Sequence, residues 1–290
     1  MKPIILPLLV IFFFSLPVIA QEDQRIISYS PWELFPSSKL FRPLEANPLE
    51  PRVGLTKNLC KDEMRVEIGN SIDIIGYTMT SGYQVQAGID FFAYAHTVGQ
   101  NGLRLQIDAV DGFFGGHLTT THLNTLSARL RILHRSAHLV DGGYSIDSNS
   151  WEKNRIPIPY TQDFGDFTLS YEQREKPVEL RLYGGLAYAT LVRPAEIKRI
   201  SYHTGAESFF PSIIRPILLN RTNLFLAYHL ALTGEPLYHA THSLKGGVKL
   251  GERNKNAVTV FLAYHNGTNM FGEFYNEHLD MIGAGFSVDF

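Results

Sequence analysis

His134, Ser136 and His138 stand two residues apart in the stretch Leu126 to Asp141, LSARLRILHRSAHLVD. A serine hydroxyl attacks an ester once a base takes its proton, and a third group that orients the base completes the set. On a β-strand, residues i and i+2 point the same way, about 7 Å apart, so one strand presents a histidine and a serine side by side. Ser136 is the candidate nucleophile and His134 the candidate base. Asp141 is the candidate orienting group, with Asp147 and Asn149 as alternatives. Such a set would hydrolyse acyl esters, with calcium or without it. The plainer alternative is three polar side chains in the head-group zone of a membrane wall, with no chemistry attached.

The strand that must carry these residues has two different faces. Leu126, Ala128, Leu130 and Ile132 share a face with His134 and Ser136, while Ser127, Arg129, Arg131 and Arg135 lie opposite. The same period-two pattern recurs along the chain. Val66, Ile68, Ile72 and Ile74 oppose Glu67 and Asp73. Val85, Ala87, Ile89, Phe91, Ala93 and Ala95 oppose Gln84, Gln86, Asp90 and Tyr94. Leu103, Leu105, Ile107 and Ala109 oppose Arg104, Gln106 and Asp108. Further rows run through Val178 to Tyr188, Ile200 to Phe210, Leu224 to Leu232, Leu244 to Leu250 and Val258 to Tyr264. The last runs from His278 to Phe290. With Pro51 to Leu59 as a weak first strand, the pattern predicts about twelve strands, an even number as bacterial barrels require.

The chain opens MKPIILPLLVIFFFSLPVIA, a lysine, an apolar run and small residues before Gln21. Residues 1–20 therefore read as a secretory signal peptide. Residues 21–52 lack clean alternation and carry Pro31, Pro36, Pro43, Pro48 and Pro51, which cannot donate to a sheet ladder. That segment is expected beneath the barrel or plugging it, and residues 53–290 form the barrel itself. After the leader no apolar run is long enough for a membrane helix. A net charge of −2 argues against a nucleic-acid partner. Cys60 is the only cysteine, so no intramolecular disulfide forms.

Segments of about ten residues, an export signal and a terminal aromatic together point to an all-β fold. It is a transmembrane antiparallel barrel in a bacterial outer membrane, apolar outside and charged inside. A soluble sandwich also alternates, with its charges toward water instead. With both termini periplasmic, the strand through His134 runs outward. His134 and Ser136 then lie near the outer leaflet, and residues 139–162 form a long extracellular loop. Lipids or lipopolysaccharide would be the partners of that face. Arg129, Arg131 and Arg181 would face the lumen, lining an anion pore or, with Asp108 and Glu179 among them, a salt-bridged interior. His239, His242, His265 and His278 fall near the same rim as scattered histidines or metal ligands. No cofactor is implied, with calcium the one ion in question.

Three stretches resemble a family of Gram-negative outer-membrane proteins known as a domain of unknown function. They are LFPSSKLFRPLEANPLEPR (Leu34 to Arg52), LHRSAHLVD (Leu133 to Asp141) and GEFYNEHLDMIGAGFSVDF (Gly272 to Phe290). The resemblance covers nearly the whole mature chain and implies a barrel and an outer-membrane address. It departs at Asn47, Val140, Gly142 and Glu273. The terminal Phe290 resembles the signature by which the barrel-assembly machinery recognises its clients. The pair His134 and Ser136 is also similar to the histidine-x-serine of outer-membrane phospholipase A and lipid A 3-O-deacylase. There the pair lies on a lipid-facing strand as base and nucleophile. Here Ala137-His138 stands where those enzymes carry asparagine-glycine. The resemblance implies lipid acyl-ester hydrolysis. The alternative is a non-enzymatic barrel, a small-solute channel or a structural protein.

Overall fold

A computed structural model describes residues 30–100, 104–140, 143–151, 155–174, 177–211, 222–251 and 256–289. All elements below lie within residues 31–290. Asp141, Phe290 and the leader expected over residues 1–20 lie outside the described residues. Among the described residues no helix is long and apolar enough to cross a membrane.

Twelve strands close into an antiparallel barrel. In chain order they are β2 (Val53–Asn58), β3 (Glu63–Thr78), β4 (Tyr83–Gln100), β5 (Arg104–His122), β6 (Leu126–Leu139) and β9 (Tyr160–Gln173). They continue as β10 (Glu179–Arg193), β11 (Ile200–Pro211), β12 (Thr222–Gly234), β13 (Tyr238–Gly251), β14 (Ala257–Thr268) and β15 (His278–Asp289). Each pairs with its chain neighbour, and β15 returns to pair with β2, Phe286 opposite Leu55. That pairing removes the free edges a sandwich would have. Two short strands, β7 (Tyr144–Ser145) and β8 (Ser150–Trp151), form a hairpin within the connection from β6 to β9. Strand β1 (Trp32–Leu34) pairs with the far end of β3, Trp32 opposite Tyr77.

The alternation sorts side chains as the sequence requires. On β6, Ser127, Arg129, Arg131, Leu133, Arg135 and Ala137 are buried inside, and the apolar row from Leu126 to Ile132 faces out. One expectation is corrected. Ala109 does not share the outward face of Leu105 and Ile107 but is fully buried inside. The register slips between His96/Ala109 and Thr97/Ile107, and the extra residue, Asp108, reverses the parity beyond it.

The lumen is filled from both ends. From β1 the chain turns inward at Pro36, where Leu40 N–H donates to the inward Gln86 Oε1 at 3.0 Å. Phe41, Arg42, Leu44, Glu45, Ala46, Asn47, Glu50 and Arg52 are then buried in the barrel. Glu50 bonds both Arg129 Nη atoms, one at 2.9 Å. Arg42 meets Glu172 at 2.7 Å, and Lys249 meets Glu45 at 2.7 Å. Of the wall arginines the sequence places inside, Arg129 and Arg131 face Glu50 and Arg181 faces Glu172 and Glu207. At the opposite rim, residues 269–277 fold into the mouth. Phe271 and Phe274 pack with Phe92, Tyr94, Phe113 and Leu133. Gly272 N–H donates to Asp111, and Arg135 donates to Met270 O at 2.8 Å. Tyr275 donates to Glu196 at 2.6 Å. Burial, then that bond, pushes the Tyr275 hydroxyl up to about 12.

Candidate functional site

The outward end of β6 and its two neighbours build a small polar patch beside Ile132, the last apolar residue on the strand's outer face. Strand pairing sets two parallel rows across four strands. The first is Phe114, His134, Asp163 and Leu191; the second is Gly112, Ser136, Thr161 and Arg193. The first puts an acid directly opposite the histidine. His134 Nδ1 lies 2.6 Å from Asp163 Oδ1, with the side chains 31% and 46% exposed, and the imidazole lies against the Phe114 ring, centroids 4.7 Å apart. Both residues therefore face the barrel's surroundings, not the lumen.

The contact fixes a tautomer. Ionised carboxylate oxygens only accept, so Nδ1 carries the proton and donates it to Asp163. In the neutral ring Nε2 then keeps its lone pair, the form a general base needs. Ser136 shares the outward face, one pleat repeat further along the strand. Its Oγ leans toward Gly112, where an added Cβ would lie 3.9 Å from it and meet nothing closer. That glycine leaves a notch beside the hydroxyl. Among the described residues no hydrogen bond joins His134 to Ser136, so a side-chain rotation must bring Oγ to Nε2. Catalytic hydrogen bonds commonly tighten only when substrate is bound.

Asp141, the expected orienting group, lies outside the described residues. Of the alternatives, Asn149 accepts from Tyr144 at 2.6 Å within the β7–β8 hairpin, and Asp147 is exposed in the same turn. Asp163 holds the position instead. The sequence shows it only as a polar residue in the segment before Phe167, because which acid opposes His134 depends on the register between β6 and β9.

A second serine–histidine–acid group lies inside the barrel and has a different character. Ser71 Oγ is 3.2 Å from His117 Nδ1, while Asp73 sits 2.9 Å from Nε2 and Asp90 3.2 Å from Nδ1. Both ring nitrogens face acceptor-only carboxylates, so both carry protons and neither offers a lone pair. This is a buried ion cluster, not a base. The rim histidines are also occupied singly. Tyr228 bonds His242 at 2.8 Å, His265 lies between Ser243 and Thr268 O, and Asn266 meets His278 at 3.3 Å. Among the described residues no group of three or more His, Cys, Asp or Glu side chains is arranged to hold a metal ion.

Residues 23–290 match the model of a family described as "Protein of unknown function (DUF1207)". No curated protein matches the chain. Two solved structures match the chain at low identity. One is OmpT (in-vitro folded), an outer membrane protein of Vibrio cholerae in trimer form. It is 11% identical at a TM-score of 0.36, with 82% of this chain and 95% of that one covered. The other is outer-membrane expressed OmpT of Vibrio cholerae, 10% identical at a TM-score of 0.31, with 85% and 98% covered.

Proposed function

We propose that this chain, which belongs to the DUF1207 family whose model it matches, is an outer-membrane barrel that hydrolyses acyl esters of outer-leaflet lipid at Ser136. The membrane address is supported by the barrel's outside. Ile132, Phe91, Leu262, Leu226 and Ile282 are all at least half exposed on different strands. A continuous apolar belt of that kind is sustained in lipid, not in water. Tyr188, Tyr202, Tyr228 and Tyr264, each more than a third exposed, supply the aromatic residues expected where such a belt meets the head groups. Val53 and Asp289 lie at one rim and the longest connection, 140–159, at the other. The rim of Val53 and Asp289 would face the periplasm.

The observation that carries the activity is the 2.6 Å contact between His134 Nδ1 and Asp163 on the outward face that also bears Ser136. In the reaction, Nε2 of His134 takes the Ser136 proton as Oγ attacks the ester carbonyl. The lipid alcohol leaves with that proton, and an acyl-serine remains. Water then releases the fatty acid by the same route in reverse. Asp163 holds the ring and stabilises the imidazolium. Backbone N–H groups of a barrel strand are committed to its neighbours, so the oxyanion must be met by side chains or by a bound cation. Arg193, exposed in the Ser136 row two strands away, stands about 10 Å off by the strand spacing. That is a distance suited to the phosphate of a lipid head group. The substrate class is therefore a phosphate-bearing lipid.

The test incubates the purified, folded chain in detergent with phospholipid and with lipopolysaccharide, with and without Ca²⁺, beside Ser136→Ala and His134→Ala. Fatty-acid release by the wild type and by neither variant supports the reading. Equal release by all three, or none from either lipid, sinks it. The alternative is a non-enzymatic barrel whose buried plug gates a channel. It is favoured by the ion-paired lumen and would be read as current that appears only when the plug is displaced.

A further inference from the structure

Between the plug and the wall lies a second polar place, remote from the His134 patch and unused by the reaction above. It is a cavity of about 40 Å³ beneath Met270, reached by Arg52 from the plug, Arg65 and Glu67 from β3 and Lys245 from β13. A single water needs roughly 10–15 Å³ of such space, so the cavity has room for a few waters or one small ion.

Its charges do not balance. Lys249, four residues beyond Lys245, is matched by Glu45 at 2.7 Å and Asp289 at 2.6 Å. Lys245 is only 9% exposed, yet among the described residues it makes no hydrogen bond or ion pair, and its ammonium sits 4.0 Å over the Phe261 ring. Glu67 is the only acid among the described residues lining the cavity, and it lies 3.3 Å from Arg65 Nε. Arg52 donates to Asn47 O and Leu44 O, both neutral. His265 adds no negative charge. Its Nε2 faces Thr268 O at 3.0 Å and must carry the proton, so Nδ1 accepts from Ser243 Oγ at 3.0 Å. Lys245 is thus a buried cation that no carboxylate among the described residues contacts, beside an Arg52 that has only the longer-range attraction of Glu45 and Glu67. A buried charge left in that state is strongly unfavourable.

We propose that the cavity binds a small monovalent inorganic anion of halide size on Lys245 Nζ, beside Arg52, and that the anion fastens the plug to the wall. A ligand held by the folded barrel alone raises its thermal midpoint. The experiment compares thermal unfolding of the whole chain in chloride and in gluconate, an anion too large for the cavity, at equal ionic strength. The wild type should melt about 2–4 °C higher in chloride, saturably, and Lys245→Met should lose that difference. Crystals of the wild type grown in bromide keep the test independent of how the variant folds. Anomalous density is expected within hydrogen-bonding reach of Nζ. Indifference of the wild type to the anion, a chloride shift kept in Lys245→Met, or bromide crystals with no anomalous density at Lys245 would overturn the proposal. Each would mean that Lys245 is an uncharged amine or is solvated by water.

Discussion

At the scale of single residues, two histidines in similar company have opposite chemistry. His134 spends one nitrogen on Asp163 and keeps the other; His117 spends both, on Asp73 and Asp90. Asp163→Asn should therefore cut fatty-acid release by about a hundredfold or more, since the ring loses the partner that fixes its tautomer. Ser71→Ala should leave the release unchanged. Rates of both variants on the same lipid check the assignment, and a large loss in Ser71→Ala would move the active group into the lumen. Glu45 gives a pH prediction for the plug. Burial alone would raise its carboxyl, but Lys249 and then Arg52 outweigh that and bring it down to about 2. A carboxyl lowered on folding stabilises the folded state above its ordinary value, and the benefit fades as pH falls toward the lowered one. The Lys249 latch should hold at pH 4 and let go only near pH 2, as protease access to the plug would report.

At the scale of elements, the plug and the mouth loop are held by different means. The plug is held by charge: Glu50 sits fully buried between Arg129 and Arg131. Glu50→Ala would leave Arg129 without a carboxylate and Arg131 with Asp166 alone, and should cost about 3–5 kcal/mol, read by thermal unfolding. The mouth loop is held by close packing. A Cβ at Gly272 would lie 2.6 Å from Tyr160 Cδ1 and 2.8 Å from Ala137 Cβ, so Gly272→Ala should push residues 269–277 out of the mouth. Loss of the hydrogen bond from Gly272 to Asp111, seen as faster amide exchange, checks it. The strands themselves were legible because alternation has a period of two wherever one face meets lipid and the other meets charge. Ala109 was misread for the same reason: one bulged residue reverses parity, and nothing in the residue types marks it.

At the scale of the whole molecule, a barrel filled from below by residues 36–52 and from above by residues 269–277 should not conduct. The wild type in a planar bilayer is expected to stay closed. A chain lacking residues 36–47 should show ohmic current, because the lumen would keep its charged wall without its filling. Steady current through the wild type at neutral pH would mean that the plug leaves the barrel in a membrane.

The amino-acid order by itself determined the class of fold, the approximate number of strands and the side of the wall on which His134 and Ser136 stand. Those properties follow from local periodicity and need no knowledge of which strand lies beside which. The tertiary structure alone decided that Asp163 faces His134 and that Arg193 shares the row of Ser136. It also decided that a proline-rich segment lies inside the barrel and that no carboxylate among the described residues contacts Lys245. Each of these is a pairing between residues far apart in the chain. Pairings of that kind are set by strand register and barrel closure, which residue types do not encode one position at a time.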